Sequence, residues 1–240
     1  MACRRIDAMI LPLLLLFAST AAASDLRVLY DARLSPDPAV PSAAEAALLD
    51  KTVHPAARQA FQKMEGCADE FAVIDAAPGS FTRAQARQKA FLYRYCSTGH
   101  GFAANGLAVI EEGRVVAHVT YEGGWDNALG ALPDLDGDGL SEILIASGST
   151  NQGITTTSVA VIGVASGVKK FGRFQVYEDN CGSGSAPSRQ SASKLLARPG
   201  AKSAFFREDF TNSSCEGGSW RKTGSSKPAA PESDEIEYRR

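Results

Sequence analysis

The sequence lacks the short motifs that mark the most common catalytic and nucleotide-binding sites. It contains no G-x-S-x-G nucleophile elbow, no H-E-x-x-H zinc motif, no G-x-G-x-x-G fingerprint and no Walker-type phosphate loop. Histidine is scarce, with three in 240 residues. We therefore interpret the chain as a non-enzymatic protein. The alternative is a secreted hydrolase whose active site is assembled from scattered residues, with His100, Glu178 and Asp179 as its first candidates.

An excess of positive charge is also absent. The chain has 25 basic and 27 acidic residues and a formal net charge of −2, whereas a nucleic-acid-binding domain is usually strongly basic. After residue 23, no apolar run approaches the ~20 residues that a membrane-spanning helix needs. We therefore expect neither a nucleic-acid partner nor a membrane-spanning segment.

Residues 1–23 have the three parts of a secretory signal peptide. Arg4 and Arg5 supply a positive start, residues 10–17 form a short apolar run, and residues 21–23 offer an A-x-A cleavage site. The apolar run is too short for a membrane anchor, and no cysteine stands at the cleavage point of a lipoprotein. We expect export to the periplasm or the extracellular medium.

No C-x-x-C pair occurs, which removes the usual signature of a structural zinc site. Four cysteines follow the predicted signal peptide, and an even number in an oxidising compartment favours disulfides. Three pairings are possible. Pairing of nearest neighbours closes two loops of roughly 30 residues, each worth about 3–4 kcal/mol in the chain-entropy model. We favour these two disulfides: Cys67–Cys96 and Cys181–Cys215.

Two short helices are predicted near the N-terminus. Ser42 followed by Glu45 forms a capping box ahead of residues 43–50. His54-Pro55 then starts a second helix, since proline is tolerated in a first turn. Apolar residues at helical spacing follow, and they predict a face that packs on the core.

From residue 71 onward the pattern is that of β-strands. Short alternating or apolar runs are separated by glycine-containing turns, as in Leu107–Glu111 and Arg114–Tyr121 around Glu112-Gly113. Glu142–Ser147 is almost wholly apolar, which is typical of a strand buried on both faces. We predict a mainly β fold over residues 24–222, a single β-rich domain built as a sandwich or as degenerate propeller-like sheets. Residues 223–240 are too polar to fold alone, so we predict that they form a disordered tail.

One segment carries a specific chemical signal. Asp134, Asp136 and Asp138 stand at alternate positions, Gly139 follows at a sharp turn, and Glu142 occupies the ninth place. Such a loop curls its carboxylates around one point, and hard cations such as calcium bind six to eight oxygens. Without a cation these groups would repel one another. The alternative is a solvated acidic turn, since Asp and Gly are common turn residues. The backbone carbonyl of Leu140 would be a further ligand at the seventh position.

The loop is not an EF-hand. Its twelfth position is Ile145, where an EF-hand has a bidentate glutamate, and the residues that follow predict a strand. Residues 133–148 instead resemble the calcium loop of FG-GAP or VCBS-type repeats, found in integrin-alpha propellers and in many exported bacterial proteins. The resemblance covers about 16 residues, in a single copy. It implies that Asp134, Asp136, Asp138 and Glu142 bind calcium through their side chains.

The leading functional interpretation is therefore an exported, calcium-stabilised and disulfide-containing binding module of a bacterial envelope or secretome. Its ligand would be an envelope or extracellular protein or glycan. The polar segment 147–153 beside the acidic loop is a candidate surface for a sugar or a peptide.

Overall fold

The computed structural model describes residues 26–34, 37–99, 101–184, 187–200, 202–215, 217–233 and 236–240. The predicted signal peptide, residues 1–23, lies outside these ranges, as does His100. The described residues form one helix and a series of antiparallel strands, with these bounds: β1 Arg27–Asp31, α1 Ala43–Phe61, β2 Ala72–Gly79, β3 Gln88–Gly99, β4 Phe102–Glu111, β5 Arg114–Gly123, β6 Trp125–Leu132, β7 Glu142–Asn151, β8 Ile154–Gly163, β9 Lys169–Asp179, β10 Gln190–Arg198, β11 Ala204–Asn212, β12 Arg221–Lys222 and β13 Lys227–Pro228. The predicted mainly β, single-domain fold is confirmed.

The prediction of two helices is wrong, because one continuous helix covers both segments. The capping box forms as expected, with Ser42 accepting from the Glu45 backbone and the Glu45 side chain accepting from the Ser42 backbone. Pro55 lies inside the helix, where a proline removes one hydrogen bond at a cost of about 3 kcal/mol. An unbroken buried stripe spans the proline and offsets that cost: Leu49, Val53, Ala57 and Phe61.

The strands form two sheets. In the four-stranded sheet the order is β2-β3-β4-β5, so neighbours in sequence pair as a meander. The chain then crosses to the nine-stranded sheet, whose path runs from β6 through β12 in sequence order. β9 pairs with the first residues of β10, and β1 pairs with the later residues of the same strand. In the same way, β12 and β13 pair with different parts of β11. Consecutive pairing keeps most connections short.

The core has three parts. The first lies between the two sheets, with Leu92 and Leu107 from one sheet and Ile143 and Ile145 from the other. The second packs α1 on the opposite face of the four-stranded sheet. The third covers the other face of the nine-stranded sheet and includes Leu144 from β7. Alternate residues of β7 thus enter different cores, as predicted for a strand buried on both faces.

The described residues contain two disulfides, and they have the nearest-neighbour pairing. Cys67, in the loop after α1, is bonded to Cys96 on β3 with a Cα–Cα distance of 5.4 Å. Cys181, just after β9, is bonded to Cys215, just after β11, with a Cα–Cα distance of 5.8 Å. The first bond therefore anchors a loop to the four-stranded sheet, and the second joins two connections of the nine-stranded sheet.

The C-terminal segment differs from the disordered tail that its polarity predicts. Lys227–Pro228 forms β13 against β11, Glu232 bridges to β9, and Arg239 exchanges two backbone hydrogen bonds with Thr120 on β5. Ile236 and Tyr238 pack against the core between the sheets. The segment cannot bury a core of its own, but it adds two apolar residues to an existing one.

Candidate metal centre

The acidic loop, residues 134–142, connects β6 to β7 and is folded by its own carboxylates. Asp134 accepts backbone N–H bonds from Asp136 at 3.2 Å, Gly137 at 2.7 Å and Gly139 at 2.8 Å. Asp136 accepts from the Asp138 backbone at 3.2 Å. Gly137 and Gly139 have φ of 87° and 84°, a conformation that favours glycine. Local hydrogen bonding therefore turns the chain so that the carboxylates face inward.

Glu142 closes the loop at the start of β7. Its side chain is buried, and it accepts a hydrogen bond from the Leu135 backbone at 2.9 Å. Burial, reinforced by the charges of Asp136 and Asp134, raises the pKa of Glu142 to about 7. A buried carboxylate beside two others is electrostatically unfavourable unless a positive charge joins it.

The four predicted acidic ligands meet at one point. One carboxylate oxygen each from Asp134, Asp136, Asp138 and Glu142 lies within 4.8 Å of the others, so the group could hold a metal ion. The predicted fifth ligand, Leu140, borders a small cavity of about 70 Å³ together with Asp138 and Glu142. The cluster has the oxygen-only composition that hard cations prefer.

A lysine that the sequence did not reveal also reaches the loop. Lys169, at the start of β9, forms an ion pair with the Asp136 carboxylate. Its ammonium group donates a hydrogen bond to that carboxylate and so lowers the pKa of Asp136. Lys169 is 33 residues away in sequence, so no local spacing pointed to it. One ammonium group offsets one of four carboxylates and leaves the loop with a negative excess.

The loop is anchored to both sheets. Leu135 is fully buried, and its carbonyl accepts from Gly200 at 2.8 Å and from the Ser203 hydroxyl at 2.9 Å, both near the β10–β11 connection. Ser141 donates to the Ser80 carbonyl at 2.9 Å, beyond the end of β2. A change in the loop would therefore be felt at two connections of the fold.

Two of the three residues suggested for a hydrolase, Glu178 and Asp179, lie in the described part of the chain, and each forms local hydrogen bonds. Asp179 accepts from the Cys181 backbone at 2.8 Å and from the Gln190 side chain at 3.0 Å, and these bonds lower its pKa. Asp179 therefore holds the turn at the second disulfide. Glu178 accepts from Gln175 at 3.2 Å. His100, the third candidate, lies outside the described residues.

A buried polar cluster went unnoticed in the sequence because its members are distant from one another. The hydroxyls of Tyr121 on β5 and Ser147 on β7 both donate to the carboxylate of Asp126 on β6. Asp126 is 1% exposed, and burial raises its pKa. The cluster therefore links β5, β6 and β7 through buried hydrogen bonds.

Comparison with known proteins finds no match: no protein-family model, no curated protein sequence and no solved structure corresponds to this chain. Within the described residues, no helix combines the length and the apolar character needed to cross a membrane. The function must therefore be inferred from the geometry of the chain itself.

Proposed function

We propose that the protein is an exported, calcium-stabilised binding module in which the metal stabilises the fold and performs no chemistry. The observation that carries the proposal is the convergence of four carboxylates, from Asp134, Asp136, Asp138 and Glu142, within 4.8 Å. Lys169 neutralises only one of them. A divalent cation would neutralise the rest and allow the buried Glu142 to remain ionised.

The composition of the cluster suits calcium, which takes six to eight oxygen ligands in flexible geometry. Magnesium demands near-octahedral geometry and usually keeps several waters, so it depends less on an all-protein set of ligands. The backbone carbonyl of Leu140 would add a further oxygen to the four carboxylates. No residue supplies the bidentate glutamate of an EF-hand, so we expect modest affinity, on the order of 10⁻⁴ M.

Export is supported by the covalent structure. The chain holds two disulfides, and disulfides persist in oxidising compartments such as the periplasm and the extracellular medium. The signal peptide expected at residues 1–23 would direct the chain there. Calcium is available at millimolar concentration in extracellular media, which suits a site of this affinity.

The resemblance to FG-GAP and VCBS-type calcium loops is part of the same proposal. In its support, the acidic loop leads directly into β7, whose Ile143 and Ile145 enter one core while Leu144 enters another. Metal binding would hold the first residue of this strand, Glu142, in its buried position. The role assigned to calcium is therefore to stabilise the entry of a central strand into the fold.

The proposal is tested by thermal denaturation of protein freed of metal. At 1 mM free calcium, a dissociation constant of about 10⁻⁴ M adds about 1.4 kcal/mol by mass action. For a domain of this size the melting temperature should rise by about 3–6 °C. Asp138→Asn should abolish the rise, because it removes an exposed ligand whose loss leaves the core intact.

Asp37→Asn is the matched control, since Asp37 is an exposed carboxylate outside the loop. It should show the full calcium-dependent rise. Equal melting of the wild-type protein with and without 1 mM calcium would reduce the acidic loop to a solvated turn. A rise of equal size with magnesium would contradict the choice of calcium.

A further inference from the structure

The connections at one end of the molecule enclose a groove of about 850 Å³. Gly101 and Phe102 come from the β3–β4 turn, Gly123 and Gly124 from the β5–β6 connection, and residues 149–151 from the end of β7. A volume of this size suits a small-molecule ligand. Loops that converge on a rigid β scaffold are a common place for binding sites.

The turns approach closely, so that a side chain at either of two glycines would crowd its neighbours. A Cβ on Gly124 would stand 3.3 Å from the Gly148 carbonyl, and a Cβ on Gly101 would stand 3.3 Å from the Cβ of Ser149. The groove is thus built from segments of both sheets that contact one another. Because these segments already contact one another, the groove is preformed. A preformed site lowers the entropic cost of binding.

The lining combines an aromatic surface with hydroxyl and amide groups. Phe102 is 64% exposed, although large aromatic side chains are usually buried. The Ser149 and Thr150 hydroxyls contact Thr156 and Thr155 on β8, each at 3.0 Å. Each hydroxyl has one donor and two acceptor positions, so these contacts orient the groups and leave hydrogen-bonding capacity for a ligand.

The charges along the groove balance. Arg173 and Glu122 both line it, and Glu122 lies 3.8 Å from Arg239. An anionic or cationic ligand would therefore meet both signs of charge. A neutral polar ligand suits this pattern, with the arginine and the carboxylate serving as donor and acceptor.

Two buried polar atoms without a hydrogen-bond partner among the described residues lie behind the groove. Asn105 is fully buried and donates to the carbonyl of Gly124, a lining residue, at 2.8 Å. In the described part of the chain, neither its Oδ1 atom nor the indole N–H of Trp125, the residue after Gly124, has a hydrogen-bond partner. Such atoms are costly to bury and are usually satisfied by ordered water, so the residues behind the groove are polar.

We infer that this groove binds a neutral oligosaccharide, with Phe102 contacting the apolar face of a sugar ring and residues 149–151 and Arg173 contacting its hydroxyls. The inference rests on the proposed function as a binding module and names the class of its ligand. It does not require the metal, because the groove residues are distinct from the acidic loop. An extended peptide is the competing occupant that the test must exclude.

The test uses the ¹⁵N-labelled mature protein with three neutral trisaccharides, namely maltotriose, cellotriose and N,N′,N″-triacetylchitotriose, each titrated to 10 mM. At least one should give saturable chemical-shift changes centred on Phe102 and residues 149–151. Phe102→Ala should weaken its affinity at least tenfold and Arg173→Gln at least threefold. Val116→Ala is the control, since Val116 is a similarly exposed apolar residue that does not line the groove, and it should bind within twofold of wild type.

Absence of saturable changes with all three sugars would overturn the inference, as would unchanged affinity in Phe102→Ala. Binding of a tetra-alanine peptide at these residues, without sugar binding, would also overturn it in favour of a peptide. Melting of the same samples with and without calcium reports the metal proposal separately. Sugar binding without a calcium effect would thus contradict the metal role alone.

Discussion

Carboxylates occupy two contrasting regions of this molecule. At the sheet junction, where β2 meets β6, Asp75 is 5% exposed and accepts three backbone hydrogen bonds: from Ala39 and Ala76 at 2.7 Å each and from Leu129 at 2.8 Å. In the acidic loop, four carboxylates converge and one lysine reaches them.

The difference shows two ways of accommodating negative charge inside a fold. Asp75 is a single charge surrounded by neutral N–H donors from three segments of the chain, so the protein satisfies it without any ion. The acidic loop also uses backbone donors, but its carboxylates lie close enough to repel one another. The carboxylate of the sheet junction is therefore fully hydrogen-bonded within the protein, whereas the acidic loop keeps an excess of negative charge that a cation could neutralise.

The largest expected effect comes from removing the carboxylate of the sheet junction. Asp75→Ala leaves three N–H groups without their acceptor, and an unsatisfied buried group costs about 1–3 kcal/mol. We expect the free energy of unfolding to fall by at least about 3 kcal/mol, measured by urea denaturation with calcium present. Asp75→Asn keeps an acceptor oxygen and should lose less.

Asp37→Ala is the control for that change, and a surface substitution of this kind should alter stability by less than about 0.5 kcal/mol. A loss below about 1 kcal/mol in Asp75→Ala would mean that water replaces the carboxylate at little cost. The two regions would then not differ in the way described.

A smaller effect on the free energy of unfolding is expected at Glu142, and in the metal-free protein it is a gain of stability. Glu142→Gln removes one of the mutually repelling charges, so the metal-free variant should be about 1–2 kcal/mol more stable than wild type at pH 8. The same change removes a ligand, so the gain from calcium should disappear. Thermal denaturation of both proteins with EDTA and with 5 mM calcium measures the two effects. Destabilisation of the metal-free variant would indicate that the charge of Glu142 strengthens its hydrogen bond with Leu135 by more than the repulsion costs.

The smallest effect concerns the lysine that reaches the acidic loop. Lys169→Met removes an exposed ion pair, and such pairs contribute little to stability because solvent screens them. Metal-free stability should therefore fall slightly, while calcium affinity should rise about two- to fivefold because a competing positive charge is gone. Isothermal titration with calcium measures the affinity, and Lys202→Met, outside the loop, is the control. Weaker calcium binding in Lys169→Met would contradict competition between lysine and metal.

Much of the secondary structure was predictable from local pattern. The strands around Glu112-Gly113 and the buried strand β7 lie where their residues indicated, because alternation and turn chemistry act between near neighbours. β6, Trp125–Leu132, was missed. Its asparagine and glycine residues are unusual in strands, and pairing with β7 outweighs that preference.

The acidic loop was the part of the candidate site most visible in the sequence. Asp134, Asp136 and Asp138 alternate within five residues, and hydrogen bonds that span two to five residues fold them inward. Such short-range geometry is encoded by residue type and spacing alone. The same holds for the helix start at Ser42 and Glu45.

Contacts between distant residues could be decided only by the tertiary structure. Lys169 meets Asp136 across 33 residues, and Asp75 accepts from Leu129 across 54. The continuous helix through Pro55 likewise depends on packing against the four-stranded sheet.

The sequence by itself determined the β-rich class, the four acidic residues of the loop and the set of cysteines available for pairing. It could not determine what surrounds them, because a single sequence does not show which distant segments meet. The groove at Phe102 and the docking of residues 236–240 arise when separate hairpins and the C-terminal segment come together. Apolar burial drives that assembly, and it is non-directional, so the neighbours it creates depend on the whole fold.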